Sequence, residues 1–226
     1  MKRLRKSVGM TAPSFPRPAR IDGVFFDFGG VVVGSPFEAF AELEERSGAP
    51  AGLIRAINTR NPDRNAWAHL ERGDIDFDGF IAAFEAEAAE LGAKVDASAV
   101  LSALLEMPAS EVDARPVMLD AVTRYRAGGL QVGLLTNNVA PMGSRPTTAW
   151  VHDAFDVVVE SCLCGLRKPE SEFYLLACSK LGTDPTRTAF LDDLGINLKS
   201  ARALGMHTVK VTDPAAAIAE IDALLA

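Results

Sequence analysis

Five short apolar runs, at 22–27, 130–135, 156–160, 188–192 and 207–211, alternate with stretches over 116–127, 170–181, 197–204 and 214–225 whose apolar residues recur at helical spacing. Brief apolar runs bounded by Gly, Asp or Pro read as strands. Strands alternating with helices read as a parallel sheet with helices on both faces, an α/β fold. Asp213 before Pro214 suits the cap and first turn of the last helix. Between Gly34 and about Arg115 the pattern changes. Phe37, Phe40, Ala41 and Leu43, then Phe77, Phe80, Ile81, Phe84 and Ala88, follow a helical period with few strand signals. The chain is therefore expected to hold a core made of residues 21–34 and 116–226, with a helical unit, residues 35–115, inserted after the first strand.

Composition narrows the classes open to this fold. A hydrophobic fraction of 48% over 226 residues suffices for a core. The formal charge is −7, yet the first 20 residues carry six cations and no acid. Without those six, 17 basic residues face 30 acidic ones, a net −13. A body this acidic lacks the basic stripe that nucleic acid requires, and it repels anionic ligands unless a pocket is locally positive. The basic start reads as a flexible leader over residues 1–20. It has no apolar signal segment, and no run is long enough to span a membrane, so the expected location is the cytoplasm. Cys162, Cys164 and Cys178 form an odd set without a second cysteine pair or a nearby His, which reads as reduced packing thiols.

Four separated segments fall at the carboxyl ends of these strands, where open α/β sheets bind ligands. Asp27 ends the first strand and is followed by Gly29 and Gly30, so backbone can approach a ligand there. Thr136 and Asn137 end the second, placing a hydroxyl and an amide that could hold a phosphate oxygen. Lys168, before Pro169, brings the cation needed beside a carboxylate that attacks a dianion. Asp192 and Asp193 end the fourth, and hard paired oxygens suit Mg2+. Asn197 can return to the same point from the first turn of the next helix.

The four motifs, in this order over about residues 21 to 225, resemble the haloacid dehalogenase (HAD) superfamily. The stretches around Phe155–Ser161, Gly165–Glu170 and Phe190–Met206 look most like the N-terminal phosphatase domain of soluble epoxide hydrolase and its bacterial single-domain relatives. The resemblance implies a Rossmann-like core with a helical cap and a small phosphorylated metabolite as partner. Chemistry would pass through an aspartyl-phosphate on Asp27, with Thr136, Asn137 and Lys168 on the transferring oxygens. Mg2+ would lie between Asp27, the Gly29 carbonyl and Asp193, with Asp192 and Asn197 behind them, Asp192 orienting Lys168.

One position departs from the family pattern. Most HAD phosphatases carry a second Asp two residues after the nucleophile, and here that position is Gly29. Its carbonyl survives for the metal. The carboxyl that protonates the leaving group does not, and such a step is worth roughly 10^2 to 10^4 in rate. Two other readings therefore stand beside a phosphatase: a phosphate-binding or regulatory protein with little turnover, and a metal-independent dehalogenase, against which Asp193 counts. Elsewhere, Trp67 and His69 are expected to pack inside the helical unit, His207 to be structural, and Glu85 to Glu90 to form a solvated face. The segment from Val139 to Trp150 would either line the pocket or bridge two elements.

Overall fold

The computed structural model describes residues 20–226; the expected leader, except Arg20, lies outside them. Five strands, β1 (Gly23–Phe26), β2 (Gln131–Thr136), β3 (Val157–Glu160), β4 (Thr188–Asp192) and β5 (His207–Lys210), form one parallel sheet in the order β3-β2-β1-β4-β5. The first strand of the described residues is the central one, and the later strands extend the sheet outward in both directions. Ladder bonding outlasts the strand limits: Asp27 N donates to Leu191 O at 2.9 Å and Gln131 N to Asp22 O at 3.0 Å. This is why the first apolar run overshoots β1 by a residue at each end.

Alternation along the strands divides the core in two. Val24, Phe26, Val132, Leu134 and Leu191 face one side, where they meet α6 (Pro116–Ala127) and α11 (Pro214–Leu225) through Met118, Val122 and Ile221. Phe25, Leu135 and Phe190 face the other, against α9 (Ser171–Leu181) and α10 (Gly195–Ala203) through Phe173, Tyr174 and Ala201. Gly133, opposite Phe25 in the ladder, leaves room for that ring; a Cβ would strike it. Asp213 caps α11, accepting from Ala216 N at 2.7 Å, with Pro214 in the first turn.

Between β1 and α6 the chain forms α1 (Pro36–Ser47), α2 (Leu53–Thr59), α3 (Ala66–Arg72), α4 (Phe77–Glu90) and α5 (Ala97–Leu105). Ser35, Asn65, Asp76 and Asp96 cap α1, α3, α4 and α5 by accepting backbone N–H groups. These helices close over their own cluster, which includes Phe40, Ile57, Leu70, Phe80, Phe84 and Val100. Trp67 packs edge-on against Phe40 and Phe80, each at 5.4 Å between ring centres. His69 departs from expectation. It sits at the surface, with Nδ1 2.9 Å from Asp74, because its place in α3 points it away from the aromatic cluster. Glu85 and Glu90 are exposed as expected, but Glu87 turns inward and accepts from Ala66 N at 2.7 Å.

Two one-turn helices, α7 (Val151–Ala154) and α8 (Ser161–Cys164), flank β3. The three cysteines are free thiols, and burial pushes Cys162 up to about 11. No helix among the described residues is long and apolar enough to cross a membrane.

Candidate active site

Asp27 leaves the central strand into a tight loop. Its Oδ1 accepts from Phe28 N at 2.7 Å and lies 2.7 Å from Lys168 Nζ. No hydrogen bond reaches Oδ2 among the described residues, so one carboxylate oxygen is held and the other is free. Lys168 is buried, with Nζ also 2.9 Å from Asp192 Oδ2. Asp192 is enclosed, accepting from Leu194 N at 2.7 Å and from Asn197 Nδ2 at 3.0 and 3.1 Å. The expected group thus assembles from the ends of β1, β2 and β4, the first turn of α10 and the segment before α9.

Charge is crowded here. Burial pushes the Asp27 carboxyl up, to about 8, against the pull of Lys168, and Asp192 and Asp193 add repulsion. Asp193 is raised by burial and by Asp192. Burial alone would lower the Lys168 ammonium, but Asp192 and Asp27 outweigh it and its pKa rises.

The donor set fits a divalent cation. Asp27, Asp192 and Asp193 each offer an oxygen, all within 4.8 Å of one another. Asp192 already serves Lys168 and Asn197, which leaves Asp27 and Asp193 as the outward-facing pair. The Gly29 carbonyl accepts no hydrogen bond among the described residues. All three are hard oxygen donors, as Mg2+ prefers. Gly30 makes this loop possible: its φ is 81°, and a Cβ there would collide with the Asp193 carboxylate.

One expectation changes. Asn137 does not offer its side chain to a ligand: Oδ1 accepts from Lys168 N at 2.8 Å, while Nδ2 donates to Lys168 O at 3.0 Å and Glu71 Oε2 at 3.1 Å. The amide fastens the Lys168 backbone because the two segments run side by side. Thr136 stays beside the cavity, its hydroxyl making only a long 3.3 Å contact with Asn137 O.

Sequence reasoning missed Glu71, Arg167 and Glu160. Glu71, from α3, is buried; it accepts from Trp67 Nε1 at 2.9 Å and from Arg167 Nε at 2.6 Å. Glu160 ends β3 and accepts from Asn138 Nδ2 and Met142 N, both at 2.6 Å, pinning the segment after β2. An acid ending an apolar strand, as at Asp27 and Asp192, was the available signal for Glu160. Above these residues lies a cavity of about 670 Å3 between the sheet edge and the helical insertion. Phe37, Phe40, Trp67, Leu104 and Met107 give it an apolar wall, and Val139, Met142 and Arg145 line it from the 139–150 segment.

Fold and site together define a class. The haloacid dehalogenase-like hydrolase family model matches residues 21–205, and the chain belongs to that family. It is 37% identical over 204 residues to Acyl-CoA dehydrogenase family member 10 of Mus musculus, covering 89% of this chain and 19% of the relative. Identity to Bifunctional epoxide hydrolase 2 of Sus scrofa is 28% over 207 residues, 87% of this chain and 37% of that one. The chain thus spans well under half the length of these two relatives. Validoxylamine A 7'-phosphate phosphatase of Streptomyces hygroscopicus subsp. limoneus, 29% identical over 210 residues, matches over 88% of this chain and 91% of its own. Among solved structures, a HAD family enzyme of Bacteroides thetaiotaomicron in complex with magnesium and inorganic phosphate superposes with a TM-score of 0.55 at 22% identity, covering 84% of this chain and 93% of that one.

Proposed function

We propose that the chain is a Mg2+-dependent phosphatase for a small phosphorylated metabolite, acting through an aspartyl-phosphate on Asp27. The observation that carries this reading is the Asp27–Lys168 pair at the cavity floor, with one carboxylate oxygen held at 2.7 Å and the other free. Oδ2 attacks phosphorus in line with the leaving oxygen, which departs with the bonding pair and takes a proton from solvent. Water then attacks the phosphorus of the acyl phosphate, losing a proton to solvent, and the P–O bond to Asp27 breaks with its electrons returning to the carboxylate. Lys168 and Thr136 stabilise the equatorial oxygens, while Asn137 and Asp192 hold Lys168 in place. Asp27, the Gly29 carbonyl and Asp193 would hold Mg2+, which would supply positive charge to offset that of the carboxylates and the incoming phosphate. The helical insertion, residues 35–115, acts as a cap that keeps bulk water from the reacting groups.

Gly29 supports a second reading, a phosphate-binding protein with little turnover, because no carboxyl stands at that position and the nearby acids are paired, turned to Asp27 or open to solvent. Glu71 is paired with Arg167, Asp193 faces Asp27, and Asp63 is exposed. A panel of phosphate esters assayed with Mg2+ or with chelator, on wild type and Asp27→Asn, separates the readings. Metal-dependent phosphate release that the variant loses, with its fold intact by circular dichroism, is expected. Release retained in the variant removes Asp27 as nucleophile. Binding without release favours the second reading, and metal-independent halide release would indicate a dehalogenase.

A further inference from the structure

The cavity is larger than a phosphate needs, and its walls are mostly apolar, yet two guanidinium groups line it without a carboxylate partner. Arg145 lies in the segment pinned by Glu160. Its Nη1 donates to Leu105 O at 3.2 Å, and no acid lies within ion-pairing distance among the described residues. Residues 1–19 contain no acid that could supply one. Partial burial pulls the Arg145 pKa below its ordinary value, and the group remains a cation. Arg55, from α2, lies over the Phe37 ring with Cζ 5.6 Å from its centre and likewise has no acidic partner. Asp63, exposed at the same cavity, pairs with neither. By contrast, the other cations of the cavity wall, Arg167 and Lys168, are each matched by a carboxylate.

An uncompensated, half-buried guanidinium costs desolvation and keeps most of its five N–H donors unused. Bidentate recognition of an oxyanion is what such a group does best. Leu105 ends α5, so one bond to its carbonyl steadies the side chain without neutralising it.

We infer that Arg145, assisted by Arg55, recognises a second anionic group on the substrate, so that the molecule processed is a phosphate monoester whose apolar body carries a carboxylate or a second phosphate away from the scissile group. This rests on the phosphatase reading for the reaction at Asp27, and the recognition step is independent of turnover. The two guanidinium groups also answer the electrostatic problem of an acidic body: they give the cavity a local positive wall that draws in an anion.

The probes are n-alkyl phosphates of several lengths, the matching ω-carboxyalkyl phosphates, and α,ω-alkanediol bisphosphates, with non-hydrolysable phosphonate versions for calorimetry on the Mg2+-loaded protein. A charge-assisted pair contributes enough for wild type to prefer a second-anion probe by about tenfold in Kd over the plain alkyl compound of equal length. Carboxylate and bisphosphate arms show which anion is preferred. Arg145→Gln should erase most of that preference, mainly through KM where turnover is measurable, and leave alkyl phosphate kinetics within about twofold. Arg145→Lys should restore part of it, and Arg55→Gln should lower it less. Equal binding of plain and anion-bearing probes by wild type would overturn the proposal. So would an Arg145→Gln variant that weakens both alike, the outcome expected if the side chain only braces Leu105. Phosphate release without anion preference defeats this inference alone. Arg145-dependent binding of carboxylated phosphonates without release from any ester defeats the phosphatase reading alone.

Discussion

Gly29 and Gly30 are neighbours with different constraints. Gly30 adopts a φ of 81° against the Asp193 carboxylate, so no other residue fits. Gly29 is not in the left-handed region, and a Cβ there would lie 3.2 Å from Pro36 Cδ, which asks for a shift of a few tenths of an ångström at the start of α1. A side chain at position 29 therefore asks only for that small shift of Pro36 at its first atom. Without a resident acid, log kcat/KM for aryl phosphates should fall steeply as leaving-group pKa rises. Gly29→Asp should flatten that slope and help the poorest leaving groups most. A flat wild-type plot, with chemistry limiting, would mean that another group already donates the proton. Asp27 yields a second expectation at this scale. Its carboxyl ionises near 8 in the fold and near the ordinary 3.8 when unfolded, so the folded state holds the extra proton between those values. The contribution of this group to metal-free stability is then fully present below about pH 4 and is lost as pH rises through 8. Asp27→Asn removes this loss: its melting temperature in chelator should exceed wild type by a margin that grows across that window. A constant margin would contradict the assignment. Asp27, Lys168 and Asp192 were legible in the sequence because each stands at the end of a strand or beside a proline. Glu71 was not, since its partners Asn137 and Arg167 lie 66 and 96 positions away and nothing local marks a buried acid inside a helix.

Elements carry the link between the helical insertion and the sheet. From α3, Glu71 pairs with Arg167 at 2.6 Å, both largely buried, and Arg72 pairs with Glu170 beside it. These contacts tie the insertion to the segment that presents Lys168, so the position of Lys168 depends on how α3 is seated. Glu71→Ala would leave Arg167 enclosed without a counter-ion and free one Asn137 hydrogen. A cost of about 3 kcal/mol in urea unfolding is expected, with much of it recovered in the double variant Glu71→Ala/Arg167→Met. Additive losses in the double variant would show that the two groups do not act as a pair. Element types of the sheet and its flanking helices were readable, because the periods of strand and helix differ and caps such as Asp213 are local, whereas α2, α3, α5 and the one-turn helices α7 and α8 were not separately marked. The role of the 139–150 segment was not readable. Its seat depends on Glu160 accepting from Asn138 and Met142, a contact set by tertiary packing and invisible to local pattern.

Across the whole molecule, an acidic chain gathers three of its carboxylates at one point, where Lys168 is the cation paired with two of them and Arg115 offsets the third from further away. Such a cluster is a liability to the fold until a cation joins it. The parallel sheet concentrates it by design of topology: β1 and β4 are neighbours, so Asp27 and the Asp192–Asp193 pair emerge side by side. That adjacency follows from strand order, which hydrophobic pattern alone does not specify. If Mg2+ binds the folded site and not the unfolded chain, stability must rise with its concentration, by about 2.7 kcal/mol at a hundredfold excess over Kd. For a chain of this size that corresponds to roughly 5–10 °C in melting temperature. Differential scanning calorimetry across a Mg2+ titration should show the shift in wild type. Asp193→Ala should lose it, because the cation then keeps Asp27 as its only outward-facing carboxylate. The same variant should also melt no lower than wild type in chelator, since one source of repulsion is gone. A wild-type melting temperature indifferent to Mg2+, or an undiminished shift in Asp193→Ala, would place the cation elsewhere.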